Sequence, residues 1–565
     1  MSKRYIVVGG VAGGASAAAR IRRIDENADV QIYEKGPNIS FSNCCLPNYF
    51  SSEVDSIENL VLYEPDSFYQ SYNLPAKTNH EVVKIIADQH KVLVKNLLTG
   101  EVFEDSYDAL ILSPGAKAIV PKSIKGVDSE HVFVVKNVAD VRKIDAYFCT
   151  HDVKEVVVVG GGFIGVEMAE NLLHGGKKVS LVEAMDQIMA PFDYDMVQML
   201  HKEMHDNGVN LVLKDAVAEI QTNKVVLASG KEIPAQAVVM AIGVTPDVQF
   251  AVEAGIKLGE TGAILVDHNF RTNLKDVYAV GDAVETFNSI TKKKTRLPLA
   301  GPAQRQARMA ADHIFGKNVE NKGVIGSSCI RVFGLNAAST GLNEKDCIAN
   351  GIDYRVALVI PMDKVKLMPN PNPMHFKLIY EYPTGKILGA QGISKGNPVG
   401  RVNVIATMIT MGGDLNDLKE LELCYAPAYG TAKDVVNYAA LAGLNHLNGV
   451  YDQVPVTKVR ELVENGEFIL DVRGKAGYEK GHVKGAVNIP LDEIRQRYNE
   501  LPKDRTIYVH CRTSWDSYYA LQALKGYGFD NVVNVQGSFL QLSYYEYFND
   551  ITTGREPIVT AYNFN

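Results

Sequence analysis

Two apolar, β-branched runs that end in glycine clusters constrain this chain more than any other feature. Tyr5-Ile6-Val7-Val8 runs into Gly9-Gly10-Val11-Ala12-Gly13-Gly14, and Val156-Val157-Val158-Val159 runs into Gly160-Gly161-Gly162-Phe163-Ile164-Gly165. Each is followed by a helical pattern and a second strand, Val30–Tyr33 or Lys178–Val182. Neither leading strand alternates polar with apolar residues, as expected of a parallel sheet covered on both faces. Two such βαβ units, about 150 residues apart, predict two nucleotide-binding domains and not a short-period repeat.

Glycine is required where backbone must turn tightly and approach a pyrophosphate seated on a helix N-terminus. The second unit carries the full G-x-G-x-x-G in Gly160, Gly162 and Gly165. Glu183, 18 residues after Gly165, ends the next strand, where its carboxylate can accept bonds from an adenosine ribose. It would repel a 2′-phosphate, so NADH is favoured over NADPH. In the first unit Gly9 and Gly14 hold the outer positions and Val11 the middle one, with Glu34 following Gly14 by 20 residues. A single match would equally suit an ordinary glycine turn. Two complete contexts, each with its acid, point to a bound flavin served by a nicotinamide. Asp282, after the buried run Val277–Val280, can offer a carboxylate to the flavin's sugar chain, or simply cap a following helix.

Composition narrows the class. Hydrophobic residues are 46% and charged residues 22%, so wholesale disorder is excluded. Lys plus Arg (58) against Asp plus Glu (66) leaves a net charge of −8, which argues against electrostatically driven nucleic-acid binding. No apolar run reaches membrane-spanning length, and Met1-Ser2-Lys3-Arg4 leads into the first strand without an apolar leader. Seven cysteines, an odd number, suit a reducing compartment. A cytoplasmic protein with no membrane or nucleic-acid partner is expected.

Further buried strands ending in Ser113-Pro114-Gly115-Ala116 and Ala241-Ile242-Gly243 extend the two domains. The expected order is a discontinuous FAD-binding domain (1–118 and 271–325) interrupted by an NAD-binding domain (119–270). A mixed α+β region (326–442), a polar linker (443–453) and a C-terminal α/β domain with a tail (454–565) follow. The fold class is α/β, with two Rossmann-like domains.

Ser40-Phe41-Ser42-Asn43-Cys44-Cys45-Leu46-Pro47 follows Glu34 closely, so the chain should still be near the nucleotide. A thiolate there, activated by a helix N-terminus or a neighbouring cation, can exchange electrons with a flavin. A two-cysteine flavoenzyme would separate its pair by four residues. Here Cys44 and Cys45 are adjacent, which predicts one redox cysteine whose partner sulfur arrives with the substrate. The alternative is two small buried residues, because free cysteine packs as a hydrophobe. Cys149, Cys329, Cys347 and Cys424 have no paired spacing; structural burial is expected for all four, and no metal site is indicated.

The segments Gly9–Ala19, Ser40–Cys44, Leu112–Ala116 and Tyr425–Asp434 together resemble the coenzyme A disulfide reductases. With its C-terminal extension the chain resembles their fusions to a rhodanese domain, also described as coenzyme A persulfide reductases. The resemblance implies that Cys44 is the redox-active residue and that 326–442 is a dimerisation domain of a homodimer. It implies contacts to coenzyme A, as substrate or bound ligand, from Ser16, Arg20, Arg23, Ser40, Asn43 and Lys433. It also implies that Tyr425 reaches the active site of the partner. Arg20 and Arg23 lie at i, i+3, and their forks suit phosphates; a solvated basic helix face is the plainer reading. Two departures stand out. Cys45 replaces a residue that is commonly glycine or alanine, and Leu367-Met368-Pro369-Asn370 lacks a family tyrosine.

Asp471-Val472-Arg473, Glu479, Gly481–Pro490 and His510-Cys511-Arg512 are similar to a rhodanese domain. That chemistry needs a cysteine at a strand end, here Cys511, opening a loop whose backbone N–H groups converge on a persulfide. The usual loop, Cys-Arg-x-Gly-x-Arg, reads Cys511-Arg512-Thr513-Ser514-Trp515-Asp516 here. Ser514 replaces the glycine and Asp516 the second arginine, which should weaken persulfide stabilisation. Trp515 would cap the loop mouth or merely pack. The implied activity is reduction of coenzyme A disulfide or persulfide by NADH through FAD and Cys44, with Cys511 relaying sulfane sulfur. Two rivals stand beside it: an NADH oxidase or peroxidase cycling through a cysteine sulfenic acid, and a non-catalytic redox sensor whose degenerate rhodanese docks a partner.

Overall fold

The computed structural model describes residues 3–564; Met1, Ser2 and Asn565, at the ends of the expected first and last domains, lie outside the described residues. The chain forms two compact units, one from residues up to 186 with 212–324, the other from 187–211 with 325 onward.

In the first unit, β1 (Arg4–Val8), α1 (Ala12–Ile24) and β2 (Asp29–Tyr33) form the first expected βαβ unit. β1 lies between β2 and Ala109–Leu112, and the sheet continues to Val277–Ala279 on one side and Ala76–Lys77 on the other. Every pairing in it is parallel, with Val8 opposite both Tyr33 and Leu112. Ala17, Ala18 and Ile21 of α1 pack with Ala307, Ala310 and Ala311 of the helix Ala300–Ile314. Alanines on both sides let the helices approach closely. The second βαβ unit is β3 (Glu155–Val159), α2 (Phe163–His174) and β4 (Lys178–Glu183). β3 pairs in parallel with β4 and with Ala237–Met240, which pairs in turn with Val132–Val134.

The glycines have distinct reasons. A Cβ on Gly165 would collide with the carbonyl oxygen of Gly160, whereas one on Gly162 would meet nothing. Gly165→Ala should therefore destabilise the first unit by about 1–3 kcal/mol, read as a lowered urea midpoint. Gly162→Ala should leave that midpoint unchanged.

In the second unit a five-stranded antiparallel sheet runs Ser328–Val332, Leu335–Gly341, Ile387–Ser394, His375–Glu381, Tyr354–Val359. Lys377, on the fourth of these, is buried between carboxylates. Its Nζ lies 3.1 Å from Asp193 and 2.7 Å from Asp195, and it also pairs with Glu344. These three acids gather as metal ligands would, with the ammonium in their midst. The C-terminal region holds a parallel sheet in which β5 (Ile507–His510) lies between Val532–Val535 and Phe468–Asp471. Its helix Ser538–Thr553 packs on the helix Tyr194–Asp206, where the rings of Phe548 and His201 are 5.1 Å apart. The stretch 119–270 thus contributes one helix to the second unit.

Two sequence expectations are corrected. The polar stretch Leu444–Gln453, read as a linker, is helical to Leu447 and a strand from Asp452. Residues 448–451 between the two elements remain irregular, and Tyr451 packs in the core with Leu470 and Ile507. Cys149, Cys329 and Cys424, expected to be buried, are exposed, and only Cys347 of that group is buried. Burial pushes the Cys347 thiol up to about 12.

Candidate active site

The two nucleotide motifs repeat one local geometry. Gly9 (φ +96°) and Gly160 (φ +110°) adopt backbone that favours glycine, and each donates its N–H to the strand opposite, at Tyr33 and Val182. Glu34 accepts the N–H groups of Gly10 (2.8 Å) and Gly36 (2.7 Å). Glu183 accepts those of Gly161 (2.6 Å) and Met185 (2.8 Å). Both acids are thus held at the strand end beside the glycine turn. The N-cap residues of α1 and α2, Val11 and Gly162, provide no side-chain cap, so the first N–H groups of both helices are left open at the turn. Asp282 caps no helix. It sits in the 3-10 turn Gly281–Ala283 after the strand Val277–Ala279, and the next helix begins at Ala300.

Cys44 lies in the 3-10 turn Asn43–Cys45 and is exposed, while Cys45 is half-buried. Ser40, at the start of this segment, has φ +47° and donates its N–H to Gly10, tying the loop to the first glycine turn. Asn43 donates through Nδ2 to the carbonyl oxygen of Lys136 at 3.1 Å. The Lys136 ammonium lies 3.7 Å from Asp282. Lys136, and Glu167 on α2, are functional candidates that the sequence reading missed; no local pattern marks either.

The protein's own groups raise the Cys44 pKa. Partial burial is the largest cause, Glu167, Cys45 and Asp282 add to it, and Lys136 opposes them. The sequence reading assumed a thiolate favoured by its surroundings; these residues alone do not favour it. Burial also raises Asp282, against the attraction of Lys136. Lys136→Met should therefore move the ionisation of Cys44 further to the alkaline side, and Glu167→Gln should move it back. The check is the pH dependence of Cys44 alkylation in the two variants, with slower alkylation at neutral pH expected for the first.

The expected arginine pair is not free as a pair. Arg20 binds Asp312 through Nε (2.7 Å) and Nη2 (2.5 Å), whereas Arg23 is exposed. Ser16 is partly buried on the same helix. In the second unit Tyr425 and Lys433 are both exposed, and the Lys433 ammonium lies 5.1 Å from the Tyr438 ring centre. Leu367, where the family tyrosine is missing, is also exposed.

Cys511 follows β5 and is 1% exposed. Its N–H donates to Ser538 Oγ at 3.2 Å. Ser514 adopts φ +69°, the conformation for which the usual loop keeps glycine. Its Oγ donates to the Val535 carbonyl (2.9 Å) and lies 3.1 Å from Ser538 Oγ, which holds the serine there. The loop then enters α3 (Trp515–Gly526), whose N-terminus has no side-chain cap. Asp471 binds Arg473 at 2.5 Å, fixing the adjacent strand end.

The profile of the pyridine nucleotide-disulphide oxidoreductases matches residues 3–307, that of their dimerisation domain residues 328–434, and that of rhodanese-like domains residues 455–543. The chain belongs to the pyridine nucleotide-disulphide oxidoreductases. A coenzyme A disulfide reductase of Staphylococcus epidermidis is 31% identical over 435 residues, 77% of this chain and 98% of that one. The crystal structure of reduced Bacillus anthracis CoADR-RHD superposes with a TM-score of 0.93 at 40% identity, covering 96% of this chain and 98% of the other. An NAD-dependent persulfide reductase from A. fulgidus gives 0.90 at 32%, covering 95% and 99%. The expected resemblance to reductase–rhodanese fusions holds.

This oxidoreductase has the cofactors of its family, FAD and a nicotinamide nucleotide, and its residues fit them. Uncapped helix N-termini suit a pyrophosphate, the open space at Gly162 is one that a Cβ would fill, and Glu34 and Glu183 hold carboxylates at the strand ends beside the two glycine turns. Gly162→Ala, neutral for the fold, should raise the Kd for NADH about tenfold or more, measured by titration of the purified protein. Among the described residues no helix is long and apolar enough to cross a membrane.

Proposed function

We propose that this oxidoreductase reduces coenzyme A disulfide or coenzyme A persulfide with NADH, using Cys44 as its single redox cysteine. The observation that carries the reading is exposed Cys44 in a turn tied through Asn43 to Lys136, whose ammonium lies 3.7 Å from Asp282, and through the Ser40 N–H to the Gly10 carbonyl of the first nucleotide turn. FAD, reduced by NADH, supplies the electron pair that returns Cys44 to its thiolate. The remaining steps belong to the chain. Cys44 Sγ attacks a coenzyme A sulfur, forming Cys44–S–S–CoA and releasing a coenzyme A thiolate from the disulfide or hydrosulfide from the persulfide. Lys136 favours the thiolate. Ser16, Arg20, Arg23, Ser40, Asn43 and Lys433 bind coenzyme A, and Tyr425 serves the partner's site in a homodimer. Arg20 must then share its fork between Asp312 and a phosphate. The FAD-binding domain (1–118 and 271–325) is interrupted by the NAD-binding domain (119–270), of which 187–211 packs with the second unit. Cys511 holds sulfane sulfur and passes it to a coenzyme A thiol.

Anaerobic NADH oxidation tests the reading, with coenzyme A disulfide and coenzyme A persulfide offered separately beside an aerated control. Rapid turnover with either, and little with oxygen, is expected. Fast oxygen consumption with neither substrate used would replace the reading by an NADH oxidase.

A further inference from the structure

The opening turn of the helix Ser538–Thr553 holds the Cys511 loop by its carbonyls. The Phe539 N–H donates to the Cys511 carbonyl at 3.1 Å, and the Leu540 N–H donates to the Arg512 carbonyl at 3.0 Å. In a trans peptide the C=O and the following N–H point in opposite directions. The N–H groups of Arg512 and Thr513 are therefore turned away from this helix, and among the described residues neither has an acceptor. Two successive N–H groups left open after a cysteine suit an anionic sulfur. Their direction depends on where the helix begins.

Gln541, at the end of the same helical turn, is fully buried. Its Nε2 donates to the backbone carbonyl of Asp195 at 2.7 Å, on the helix Tyr194–Asp206, and its Oε1 lies 2.6 Å from Nδ1 of His375, on the strand His375–Glu381. A backbone carbonyl only accepts, so Asp195 fixes the orientation of the amide and leaves Oε1 as the acceptor for His375. Burial lowers the His375 pKa to about 4. The ring is then neutral at pH 7, with its one proton on Nδ1, where Gln541 takes it. His375 Nε2 has no partner among the described residues, so the bond to Gln541 is the one that orients the ring. Gly537, just before the helix, has φ +70°, and a Cβ there would collide with Gln541 and with Leu358 of the strand Tyr354–Val359. The turn into the helix is thus pressed against the Gln541 anchor.

We propose that Gln541 is a positioning residue for sulfur transfer at Cys511: by anchoring the first turn of its helix to Asp195 and His375, it sets the direction of the loop N–H groups that receive the sulfur. The proposal rests on the reading of Cys511 as a sulfur carrier. It makes the chemistry of the C-terminal region depend on partners 346 and 166 residues away in the sequence.

The test loads the full-length protein with cysteine persulfide and follows the added sulfur on the Cys511 peptide by rapid-quench mass spectrometry, with Cys511→Ser as the blank. Cys511 Sγ attacks the outer sulfur of the donor, the donor S–S bond breaks, and the products are Cys511–S–SH and the cysteine thiolate. Gln541→Met keeps the side-chain length and loses both hydrogen bonds. It should lower the limiting loading rate about ten- to a hundredfold, with the half-saturating donor concentration unchanged. His375→Leu removes the ring donor and should lower that rate about tenfold, whereas His375→Asn, whose Nδ2 can stand where Nδ1 stood, should restore most of it. Trp515 follows the loop and packs edge-on against Tyr438 at 5.4 Å, so its emission in the folded protein should shift in Gln541→Met and His375→Leu but not in His375→Asn. A lowered urea midpoint with unchanged loading would make Gln541 merely structural and overturns the proposal, while the carrier reading stands. A loss that His375→Asn shares with His375→Leu overturns it as well, because the missing bond is then not the cause. Should Gln541→Met fail to fold, the two His375 variants decide. If wild-type Cys511 takes up no sulfur, the carrier reading fails and the proposal with it.

Discussion

Cys44→Ser should abolish coenzyme A-dependent NADH oxidation, with a fall of at least about a thousandfold, the order expected when a covalent nucleophile is removed. A serine hydroxyl neither attacks sulfur at neutral pH nor accepts an electron pair as a disulfide does. The exposed turn that carries Cys44 accommodates serine without repacking, so bound flavin and thermal midpoint should be unchanged. Cys45→Ala provides the contrast. Cys45 is among the groups that raise the Cys44 pKa, so its removal should preserve turnover and ease ionisation of Cys44. Retained turnover in Cys44→Ser, or its loss in Cys45→Ala alone, would transfer the redox role to the neighbouring thiol. The measurement is steady-state kinetics with coenzyme A disulfide, beside the flavin content of each variant.

Lys377→Met should destabilise the second unit by about 3–5 kcal/mol, the usual cost of breaking a buried ion pair by removing one partner. Lys377 is 1% exposed, and Asp193 and Asp195 are 3% and 4% exposed. Burial works against the ammonium, but Asp195, Asp193 and Glu344 outweigh it and hold its pKa well above the ordinary value. Burial also raises Asp195, which Lys377 counteracts. Without the lysine the acids lose the partner that keeps them charged in a dry setting. Gln391 donates to Asp193 at 2.7 Å, and Gln541 donates to the Asp195 carbonyl at 2.7 Å, so the loss reaches both the antiparallel sheet and the C-terminal helix. Urea unfolding followed by tryptophan fluorescence reports it, because Trp515, the single tryptophan, lies in this unit. A midpoint within error of the wild-type value would mean that the methionine packs as well as the ion network.

The nucleotide turns were legible because their requirements are local. Gly9 and Gly160 need left-handed backbone, Gly14 and Gly165 need the absence of a Cβ, and Glu34 and Glu183 close turns within one βαβ unit. Cys511 at a strand end and Ser514 in the glycine position were legible for the same reason. Lys136 was not, because it meets Asn43 across 93 residues of sequence and its own neighbourhood is an ordinary helix start. Nor was the commitment of Arg20 to Asp312, 292 residues away, visible from helical spacing. The exposure of Cys149, Cys329 and Cys424 was misjudged because burial of a lone cysteine depends on what packs over it, which no short pattern records.

Sequence alone determined the α/β class, the two nucleotide turns with their acids, and the cysteines at Cys44 and Cys511, since backbone conformation and strand order leave residue-level marks. Tertiary structure alone decided the electrostatics around Cys44, the buried Lys377 network, and the aromatic surface that joins Trp515 to Tyr438. Those depend on distance in space, and on the water that packing removes from charges brought together from distant parts of the chain.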